Sequence, residues 1–417
     1  MKSLSSELPI EVMPAPKKVY ICLSQHIGAP AKPIVSVGDK VKKGQIIGEQ
    51  NGAISASVHS SVSGEVTNIL DITNGLHQKQ TYVEIENDFL NEQFLFNDID
   101  ALQKETLVER IRNAGIVGLG GAGFPTAVKL TPKNQLDTLV INGAECEPYL
   151  TCDYRLMLER TEDIYKGITY LKKALGIERA IIGIEANKPL AIKAFEKFTD
   201  LEVVVLKKQY PMGSEKHLIY CTTGRKVPVG KMPFDKGVCV QNIKTVIACL
   251  EAIENNISLT ETVLTVSGNG INNPKNLKVA IGTPYSEIIE YCGGAKDNVI
   301  KIVAGGPMMG KALANINSFV KKTDSGLLLL TNNETSVNKP TNCISCGVCA
   351  RNCPMRLMPM YIETYALSGD YALAEKYGAM NCIECGSCAF NCPAKRPLVQ
   401  NITFAKAKIK EMKANGK

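Results

Sequence analysis

Two cysteine runs near the C-terminus constrain the possible structure more than any other feature of the chain. Each run has the spacing CxxCxxCxxxCP, and the second begins at Cys382, 39 residues after the first begins at Cys343. At this spacing three thiolates wrap around one [4Fe–4S] cluster while the fourth reaches a neighbouring cluster. The runs therefore predict two clusters, one on Cys343, Cys346, Cys349 and Cys392 and the other on Cys382, Cys385, Cys388 and Cys353. Structural zinc sites are the alternative, but zinc ribbons use CxxC pairs and rarely this run.

The residues around the runs fit an α-helical two-cluster ferredoxin module. Residues 358–377, between the runs, space their apolar side chains as a helix does, which predicts a stretched helical connection. Fifteen cysteines would suggest disulfides in a secreted chain, but grouped cysteines in a reducing compartment indicate metal or redox chemistry. The other seven have no ligand spacing, and we expect most of them to be small buried apolar residues: Cys22, Cys146, Cys152, Cys221, Cys239, Cys249 and Cys292.

Length and charge limit what the rest of the chain can be. Its 417 residues, 45% of them apolar, can fill several hydrophobic cores. The net charge of +7 is spread along the chain, which does not indicate nucleic-acid binding. The sequence has no membrane-spanning segment or signal peptide, so we expect a cytoplasmic location. For the lysine-rich end, residues 405–417, a solvated helical tail is favoured over a surface for an acidic partner or anionic lipid.

A glycine-rich segment precedes an alternating pattern of strands and helices. Gly118, Gly120 and Gly123 match the dinucleotide fingerprint in form, but the residues before them have helical spacing instead of that of a strand. We therefore expect this loop to approach a phosphate or a ring in a different arrangement. Downstream, the alternation predicts a parallel sheet with covering helices, with strands at 137–142, 180–184 and 202–206 and helices at 153–175 and 188–198.

The segments on either side of this α/β domain predict two further domains. Residues 31–66, with a turn at Asn51-Gly52, have the two-hairpin pattern of a lipoyl-like barrel sandwich. The predicted hairpin tip, residues 49–55, offers no lysine for modification, so a docking role is favoured over a swinging arm. His26 and His59 are interpreted as structural. Residues 262–313 resemble a β-grasp of the soluble-ligand-binding (SLBB) type.

Three ordered motifs resemble the NADH- and flavin-binding subunit of respiratory complex I. The glycine loop continues through Phe124, and an Asn-x-x-Glu-x-Glu-Pro motif begins at Asn142, just past the first predicted strand, where open α/β sheets bind ligands. A third block follows in the family's order: YPMGSEK (210–216), GRKVPVGKMPF (224–234) and VQNIKT (240–245).

This resemblance implies an FMN site beside an NADH site. By position in the motifs, FMN would be held by Gly118, Gly120, Gly121, Gly123, Lys129, Asn142, Glu145, Tyr210, Gly213, Asn242 and Thr245. NADH would contact Phe124, Glu147, Glu215, Lys231 and Phe234. No side chain is implied as a catalytic acid or base, because the cofactors carry out the hydride transfer. The chain departs from the family's pattern at Leu119, Ala144, Ser214 and Gln241.

The order of domains, together with the segment SQHIGAP (24–30), resembles the family of C subunits of the Rnf complex. The expected fold class is multidomain α/β: a barrel sandwich (1–90), a complex I-like flavin domain with a parallel sheet (100–257), an SLBB β-grasp (258–315), a two-cluster ferredoxin domain (333–404) and a basic tail (405–417). The resemblance implies a peripheral subunit on the cytoplasmic face of a bacterial membrane. It would pass electrons from NADH through FMN and the clusters to membrane subunits that link NADH and ferredoxin to Na⁺ or H⁺ movement.

Two other functions remain open from the sequence. One is a soluble relative that passes NADH electrons to an amino-acid reductase such as proline reductase. The other is a non-catalytic iron–sulfur electron wire with a degenerate flavin site, which the four departures from the family's pattern would permit.

Overall fold

The computed structural model describes residues 2–98, 103–335 and 339–416. The chain divides into two compact units. The larger comprises Met1–Val227, Lys231–Gly306 and Lys311–Glu334, and the smaller comprises Pro228–Gly230, Pro307–Gly310 and Thr335–Lys417. The predicted barrel sandwich, flavin domain and β-grasp all fall mainly in the larger unit, and the two cysteine runs fall in the smaller one.

Residues 2–98 contain the barrel sandwich. Their strands are β1 (Ile10–Val12), β2 (Lys18–Cys22), β3 (Lys32–Pro33), β4 (Lys40–Val41), β5 (Ile46–Glu49), β6 (Val58–His59), β7 (Gly64–Thr73) and β8 (Lys79–Asn87). Strands β2-β8-β7-β4 form one antiparallel sheet and β3-β5-β6 form the other. Along β2, buried Val19 and Ile21 alternate with polar positions and lie opposite Ile85 and Val83 of β8. This alternation directs one side of the sheet into the sandwich core.

Contacts with neighbouring domains hold the sandwich in place. His59 Nε2 lies 2.8 Å from the carbonyl oxygen of Asn113, and Lys43 Nζ lies 2.8 Å from Glu261 Oε1. The turn predicted at Asn51-Gly52 lies in a longer loop, residues 50–57, that joins β5 and β6, and Gly52 has φ of +94° there. That loop packs on the SQHIGAP segment, where the Ala29 amide donates to the Ile54 carbonyl at 3.2 Å.

The flavin domain has the predicted parallel sheet. Its elements are α1 (Lys104–Asn113), α2 (Thr126–Lys129), β9 (Thr138–Gly143), α3 (Cys152–Glu159), α4 (Thr161–Leu175), β10 (Arg179–Glu185), α5 (Pro189–Phe195), β11 (Glu202–Leu206), α6 (Glu215–Thr223), β12 (Val238–Asn242) and α7 (Ile243–Glu254). The strand order is β11-β10-β9-β12, all parallel. The helix predicted over 153–175 is two helices, because the backbone leaves helical geometry at Arg160.

The β-grasp is larger than the segment predicted for it. It contains β1, already described, together with β13 (Glu261–Ser267), β14 (Lys275–Ala280), α8 (Tyr285–Tyr291), β15 (Val299–Ala304), β16 (Lys311–Ala312) and β17 (Gly326–Thr331). The sheet has the order β1-β14-β13-β17-β15-β16, so β1 and β17 belong to it. The predicted boundary 258–315 omits both strands, and the predicted sandwich 1–90 includes β1. These pairings join residues far apart in sequence, which local patterns do not encode.

The smaller unit is helical around its cysteine loops. Its helices are α9 (Val348–Arg351), α10 (Pro359–Leu367), α11 (Tyr371–Lys376), α12 (Ser387–Phe390) and α13 (Leu398–Ala414). The single helix predicted over 358–377 is wrong, since the chain turns between α10 and α11 at Gly369, where φ is +76°. The predicted separation of a solvated tail at 405 is also wrong. Helix α13 runs through that point and buries Ala405 and Ile409 in the core of this unit.

Most cysteines outside the runs are buried, as expected. Five are buried, whereas Cys146 is half-buried and Cys221 is exposed. Burial raises the pKa of Cys239 to about 11, so this side chain stays a neutral thiol at physiological pH.

Candidate cofactor sites

The carboxyl ends of β9 and β12 form the centre of the predicted flavin site. Asn142, the penultimate residue of β9, is paired with Asn242, the last residue of β12. The next strand in the chain, β10, pairs with one edge of β9, whereas β12 pairs with the opposite edge of β9. Such a switch point leaves a crevice in which open α/β sheets bind ligands. The Asn242 side chain also accepts the Lys244 amide at 2.8 Å and so caps α7.

The glycine loop lies over this crevice. A Cβ at Gly120 would come within 2.7 Å of the Asn242 side chain, so only glycine allows this close approach. The Leu119 amide donates to Thr245 Oγ1 at 2.9 Å, which fixes the loop to the first turn of α7. A Cβ at Gly121 would meet nothing within 4 Å, so the loop backbone borders open space. Exposed backbone beside a sheet switch point fits the close approach of a flavin phosphate or ring.

Predicted flavin residues from the second and third motifs meet at the same edge. Asn142 Nδ2 donates to the Gly213 carbonyl at 2.9 Å. A Cβ at Gly213 would lie 3.1 Å from Cys146 Sγ, a tight contact that the cysteine side chain would have to relieve by a small shift. Tyr210 lies in the turn that leads to Gly213 and is half-buried. The structure thus brings together the glycine loop, Asn142, Gly213, Asn242 and Thr245.

Glu145 is engaged by the protein itself. Its side chain is 4% exposed, Oε1 accepts the Asp153 amide at 2.7 Å, and Lys2 Nζ lies 3.4 Å from Oε2. Burial raises the pKa of this carboxyl, with the charge of Lys2 acting in the opposite direction. Asp153 in turn accepts a hydrogen bond from Asn242 Nδ2 at 2.8 Å. Sequence reasoning missed Asp153, although an acid in the first turn of a helix just after the motif was a usable signal.

A small cavity collects residues predicted for the nicotinamide nucleotide. Phe124, Glu215 and Phe234 line it together with Lys129, which was predicted for FMN. Lys129 Nζ lies 3.1 Å from Glu215 Oε1 and 3.3 Å from the Val240 carbonyl oxygen. The other two residues predicted for NADH do not line this cavity: Glu147 packs against Gly306 and Lys231 is exposed.

The four departures from the family's pattern are accommodated by packing and local bonds. Leu119 and Gln241 are each 2% exposed, and Ala144 is fully buried in a core cluster with β12 and α6. Ser214 Oγ lies 2.6 Å from His217 Nδ1 at the start of α6. These substitutions therefore leave the glycine loop and the strand ends in place.

The eight cysteines of the runs surround two separate cavities. One is lined by Cys343, Cys346, Cys349 and Cys392, and the other by Cys353, Cys382, Cys385 and Cys388. This grouping is the exchange of the fourth cysteine that the spacing predicts. Four thiols around one apolar cavity are a donor set that fits a [4Fe–4S] cluster.

Backbone geometry shapes each cysteine loop. Gly347 and Gly386 have φ of +70° and +80° and precede the short helices that carry the third cysteines. The Leu357 amide donates to Cys353 Sγ at 3.3 Å, a bond of the kind that tunes cluster potentials. Burial raises the pKa of Cys388 to about 12, so its thiolate requires compensating positive charge such as that of iron. Cys343 and Cys346 are exposed, whereas Cys385 and Cys388 are buried.

Within the described residues, no helix is both long enough and apolar enough to span a bilayer.

Family models match four consecutive parts of the chain. Residues 1–90 match the RnfC barrel sandwich hybrid domain, and residues 111–251 match the Nuo51 FMN-binding domain. Residues 263–312 match the SLBB domain, and residues 342–408 match the 4Fe-4S dicluster domain. These matches confirm the predicted fold class and the predicted FMN and iron–sulfur cofactors.

Similar curated proteins match almost the whole chain, and each is the C subunit of an oxidoreductase complex. That of the proton-translocating ferredoxin:NAD⁺ oxidoreductase complex of Clostridium ljungdahlii is 45% identical over 97% of this chain and 91% of its own. That of the Na⁺-translocating ferredoxin:NAD⁺ oxidoreductase complex of Acetobacterium woodii is 41% identical over 100% of this chain and 96% of its own. The C subunit of the ion-translocating oxidoreductase complex of Rhodobacter capsulatus is 44% identical over 98% of this chain and 81% of its own.

One similar solved structure is that of an NAD⁺-reducing [NiFe]-hydrogenase in the H₂-reduced state. Its TM-score is 0.52 at 17% identity, and the match covers 76% of this chain and 67% of the other. At this identity the likeness concerns the fold.

Proposed function

Because the chain belongs to the family of C subunits of ion-translocating ferredoxin:NAD⁺ oxidoreductase (Rnf) complexes, we propose that it oxidises NADH through FMN and passes the electrons to two [4Fe–4S] clusters. The main support for this proposal is that a single chain contains both a glycine loop at a sheet switch point and two cavities that are each lined by four cysteines. When bound, FMN accepts a hydride, which carries two electrons, and can release those electrons singly to iron–sulfur clusters.

The flavin would be held at the carboxyl ends of β9 and β12. The backbone of Gly118, Gly120, Gly121 and Gly123 would approach its phosphate and ring, because these positions have no side chain to intervene. Asn142, Tyr210, Gly213, Asn242 and Thr245 would position it from the opposite side. Glu145 would act mainly by orienting α3 through its bond to Asp153, since protein groups already engage its carboxylate.

The nicotinamide nucleotide would enter beside the cavity that Phe124 and Phe234 line. Their rings would stack on the nucleotide, and Glu215 would accept hydrogen bonds from ribose hydroxyls. The ammonium of Lys129, 3.1 Å from Glu215, would neutralise negative charge on the flavin side. Glu147 and Lys231 would contact more distant parts of the nucleotide.

The two groups of cysteines would then hold the clusters. Cys343, Cys346, Cys349 and Cys392 would ligate the first cluster, and Cys382, Cys385, Cys388 and Cys353 the second. The protein would dock peripherally on the cytoplasmic face of a bacterial membrane. There its electrons would pass to membrane subunits of the complex, which would link NADH and ferredoxin to the movement of Na⁺ or H⁺.

Anaerobic reduction of the purified chain tests this function. The protein, reconstituted with FMN, iron and sulfide, is titrated with NADH while flavin absorbance and the electron paramagnetic resonance of the clusters are followed. We expect NADH to bleach the flavin and to reduce the clusters. A chain that holds iron but no FMN, and whose clusters NADH leaves oxidised, would support the electron-wire alternative instead.

Fractionation of the source cells distinguishes a subunit of a membrane complex from the other alternative, a soluble protein that passes NADH electrons to an amino-acid reductase. A peripheral member of a membrane complex is expected in washed membranes, from which it is released by breaking protein contacts. Quantitative recovery in the cytosol, together with an amino-acid reductase, would contradict the membrane-complex proposal.

A further inference from the structure

A cavity of about 290 Å³ lies within the larger unit and is separate from the proposed cofactor sites. Its walls come from β1, from helices α3 and α7, and from the segment 257–263 that leads into β13. None of the residues proposed for FMN, NADH or the clusters lines it. Its volume is just below the range of small-molecule pockets, which is roughly 300–1,000 Å³. The cavity therefore has room for a small organic molecule.

One part of the lining is apolar. Its members are Ile10, Val12, Leu119, Leu156, Ile247, Ala248, Ile257, Leu259 and Val263. A ligand that buries an alkyl chain against these side chains would be stabilised in proportion to the apolar surface that it removes from water.

The charged part of the lining has three carboxylates and three cations, and five of these six groups belong to ion pairs. The pairs are Arg160 with Glu251, Lys278 with Glu261 and Arg155 with Glu159, at N–O distances of 3.2, 2.9 and 2.8 Å. Glu261 is also paired with Lys43, and Arg160 with Asp163. These pairs leave the sixth group, Lys244, as the exception.

Lys244 is a buried cation, 4% exposed, that is bonded to backbone only. Its Nζ lies 3.3 Å from the Val263 carbonyl oxygen and 3.2 Å from the Asp324 carbonyl oxygen. In the described part of the chain no ion pair joins it to a carboxylate. The Asp324 carboxylate accepts instead from the Tyr285 hydroxyl and the Lys321 amide. An ammonium has three donors, so one donor of Lys244 remains for a ligand.

We propose that this cavity binds a small organic monocarboxylate, with its carboxylate on Lys244 and its alkyl chain against the apolar lining. A single negative charge matches the one cation of the lining that lacks a carboxylate partner among the described residues. A dianion would carry a second negative charge for which the lining offers no further cation among the described residues, because Arg160 and Lys278 are already paired with Glu251 and Glu261. A neutral alcohol or an alkylammonium would leave the charge of Lys244 uncompensated.

The site adjoins the elements that shape the flavin crevice. The Lys244 amide donates to Asn242 Oδ1, and Leu119, which lines the cavity, donates its amide to Thr245 Oγ1. A bound carboxylate would thus restrain the glycine loop and tighten FMN binding. This consequence rests on the proposed function, whereas binding of the carboxylate to the FMN-free chain does not.

Calorimetric titration of the full chain tests the site. Hexanoate is the probe, and hexan-1-ol, hexylammonium and inorganic phosphate are the comparison ligands. We expect hexanoate alone to bind, and Lys244→Met to weaken its affinity at least tenfold, because a charge-assisted hydrogen bond is lost. Lys275→Met is the matched control, since Lys275 lies on β14, pairs with Glu11 and does not line the cavity.

A second variant tests the cavity without removing the charge. Ala248→Phe fills the space beside α7 and is expected to abolish hexanoate binding while Lys244 remains. Thermal melting of each ligand-free variant reports its folding. Failure of hexanoate to bind the wild-type chain, or equal affinities in wild type and Lys244→Met, would overturn the proposal. Equal binding of hexan-1-ol would show an apolar cavity without carboxylate recognition and would also overturn it.

Discussion

Lys129 Nζ lies 3.1 Å from Glu215 Oε1, which joins a residue implied for the flavin to one implied for the nicotinamide nucleotide. The lysine side chain is 20% exposed and the glutamate 38%, so water reaches the carboxylate more readily than the ammonium. The pair lines one cavity together with Phe124 and Phe234. This arrangement places the boundary between the two proposed cofactor sites at a single ion pair.

Glu215→Gln is expected to raise the KM for NADH at least tenfold, because one charge-assisted hydrogen bond contributes roughly 1.5–3 kcal/mol. FMN content should stay unchanged, since the flavin residues at the strand ends are untouched and Lys129 keeps its bond to the Val240 carbonyl oxygen. Steady-state kinetics with an artificial electron acceptor measure the KM. Glu202→Gln, which breaks the exposed pair with Arg179, is the control and should leave the KM as it is. Loss of flavin from Glu215→Gln would contradict the proposed division of the site.

Asp153→Ala is expected to weaken FMN binding at least fivefold. The substitution leaves Asn242 Nδ2, which is half-buried, without its acceptor at 2.8 Å, so the side chain loses the bond that orients it toward the crevice; a hydrogen bond to a charged group contributes roughly 1.5–3 kcal/mol. Quenching of flavin fluorescence on titration measures the dissociation constant. Asp163→Ala, in the first turn of α4, is the matched control, because Asp163 pairs with Arg160 and makes no bond to Asn242. Unchanged FMN affinity in Asp153→Ala would mean that Asn242 is held in place by other contacts.

Cys385→Ser is expected to remove one cluster and to leave the other. Iron content should fall by about half, because Cys385 lines only one of the two cavities and each [4Fe–4S] cluster takes four cysteines. Iron analysis and the resonance spectrum of the remaining cluster test this outcome. Cys221→Ser, at an exposed cysteine outside both runs, should retain all the iron. Complete loss of iron from Cys385→Ser would indicate that the two clusters form only together.

Lys322 should make stability depend on pH. Its ammonium is buried between the carbonyl oxygens of Ser57 and Gly115, each 2.7 Å away, and burial lowers its pKa from 10.5 to about 7. Between these values the unfolded chain holds a proton that the folded chain has released. The free energy of unfolding contributed by Lys322 therefore rises with pH across this window and is lost as the pH falls towards 7.

Denaturant unfolding of Lys322→Met, compared with wild type at several pH values between about 7 and 10, measures this contribution. The difference in unfolding free energy between the two proteins should grow with pH by up to about 1.4 kcal/mol per unit. Lys321→Met, which removes an ammonium bonded to Gln80 on the neighbouring surface, is the control. A pH-independent difference for Lys322→Met would rule out this titration.

The elements that local sequence predicted well are those whose signal is short-range. The α1 helix before the glycine loop and the three strands β9, β10 and β11 followed from spacing and apolar runs. Helix breaks were missed at Arg160 and Gly369, because the apolar periodicity continues across both while the backbone geometry does not. The strand β17 was missed because its place in the sheet depends on β13 and β15.

The cysteine runs show where sequence alone was sufficient. Their spacing predicted which four cysteines line each cavity, including the exchange of the fourth cysteine, which in each run follows the short helix that carries the third. The glycine loop and the Asn142 motif likewise determined the family and the FMN-binding domain. In both cases the chemistry requires particular residue types at short fixed intervals, which a sequence records directly.

Tertiary structure decided the features that depend on residues distant in the chain. Only the folded chain brings Asp153 to Asn242, and Lys129 to Glu215. Only the packing of β1 beside the flavin domain and β14 encloses the cavity that Lys244 lines. The physical reason is that burial and charge pairing are properties of the three-dimensional neighbourhood, and parallel strands bring into that neighbourhood residues that are far apart in the sequence.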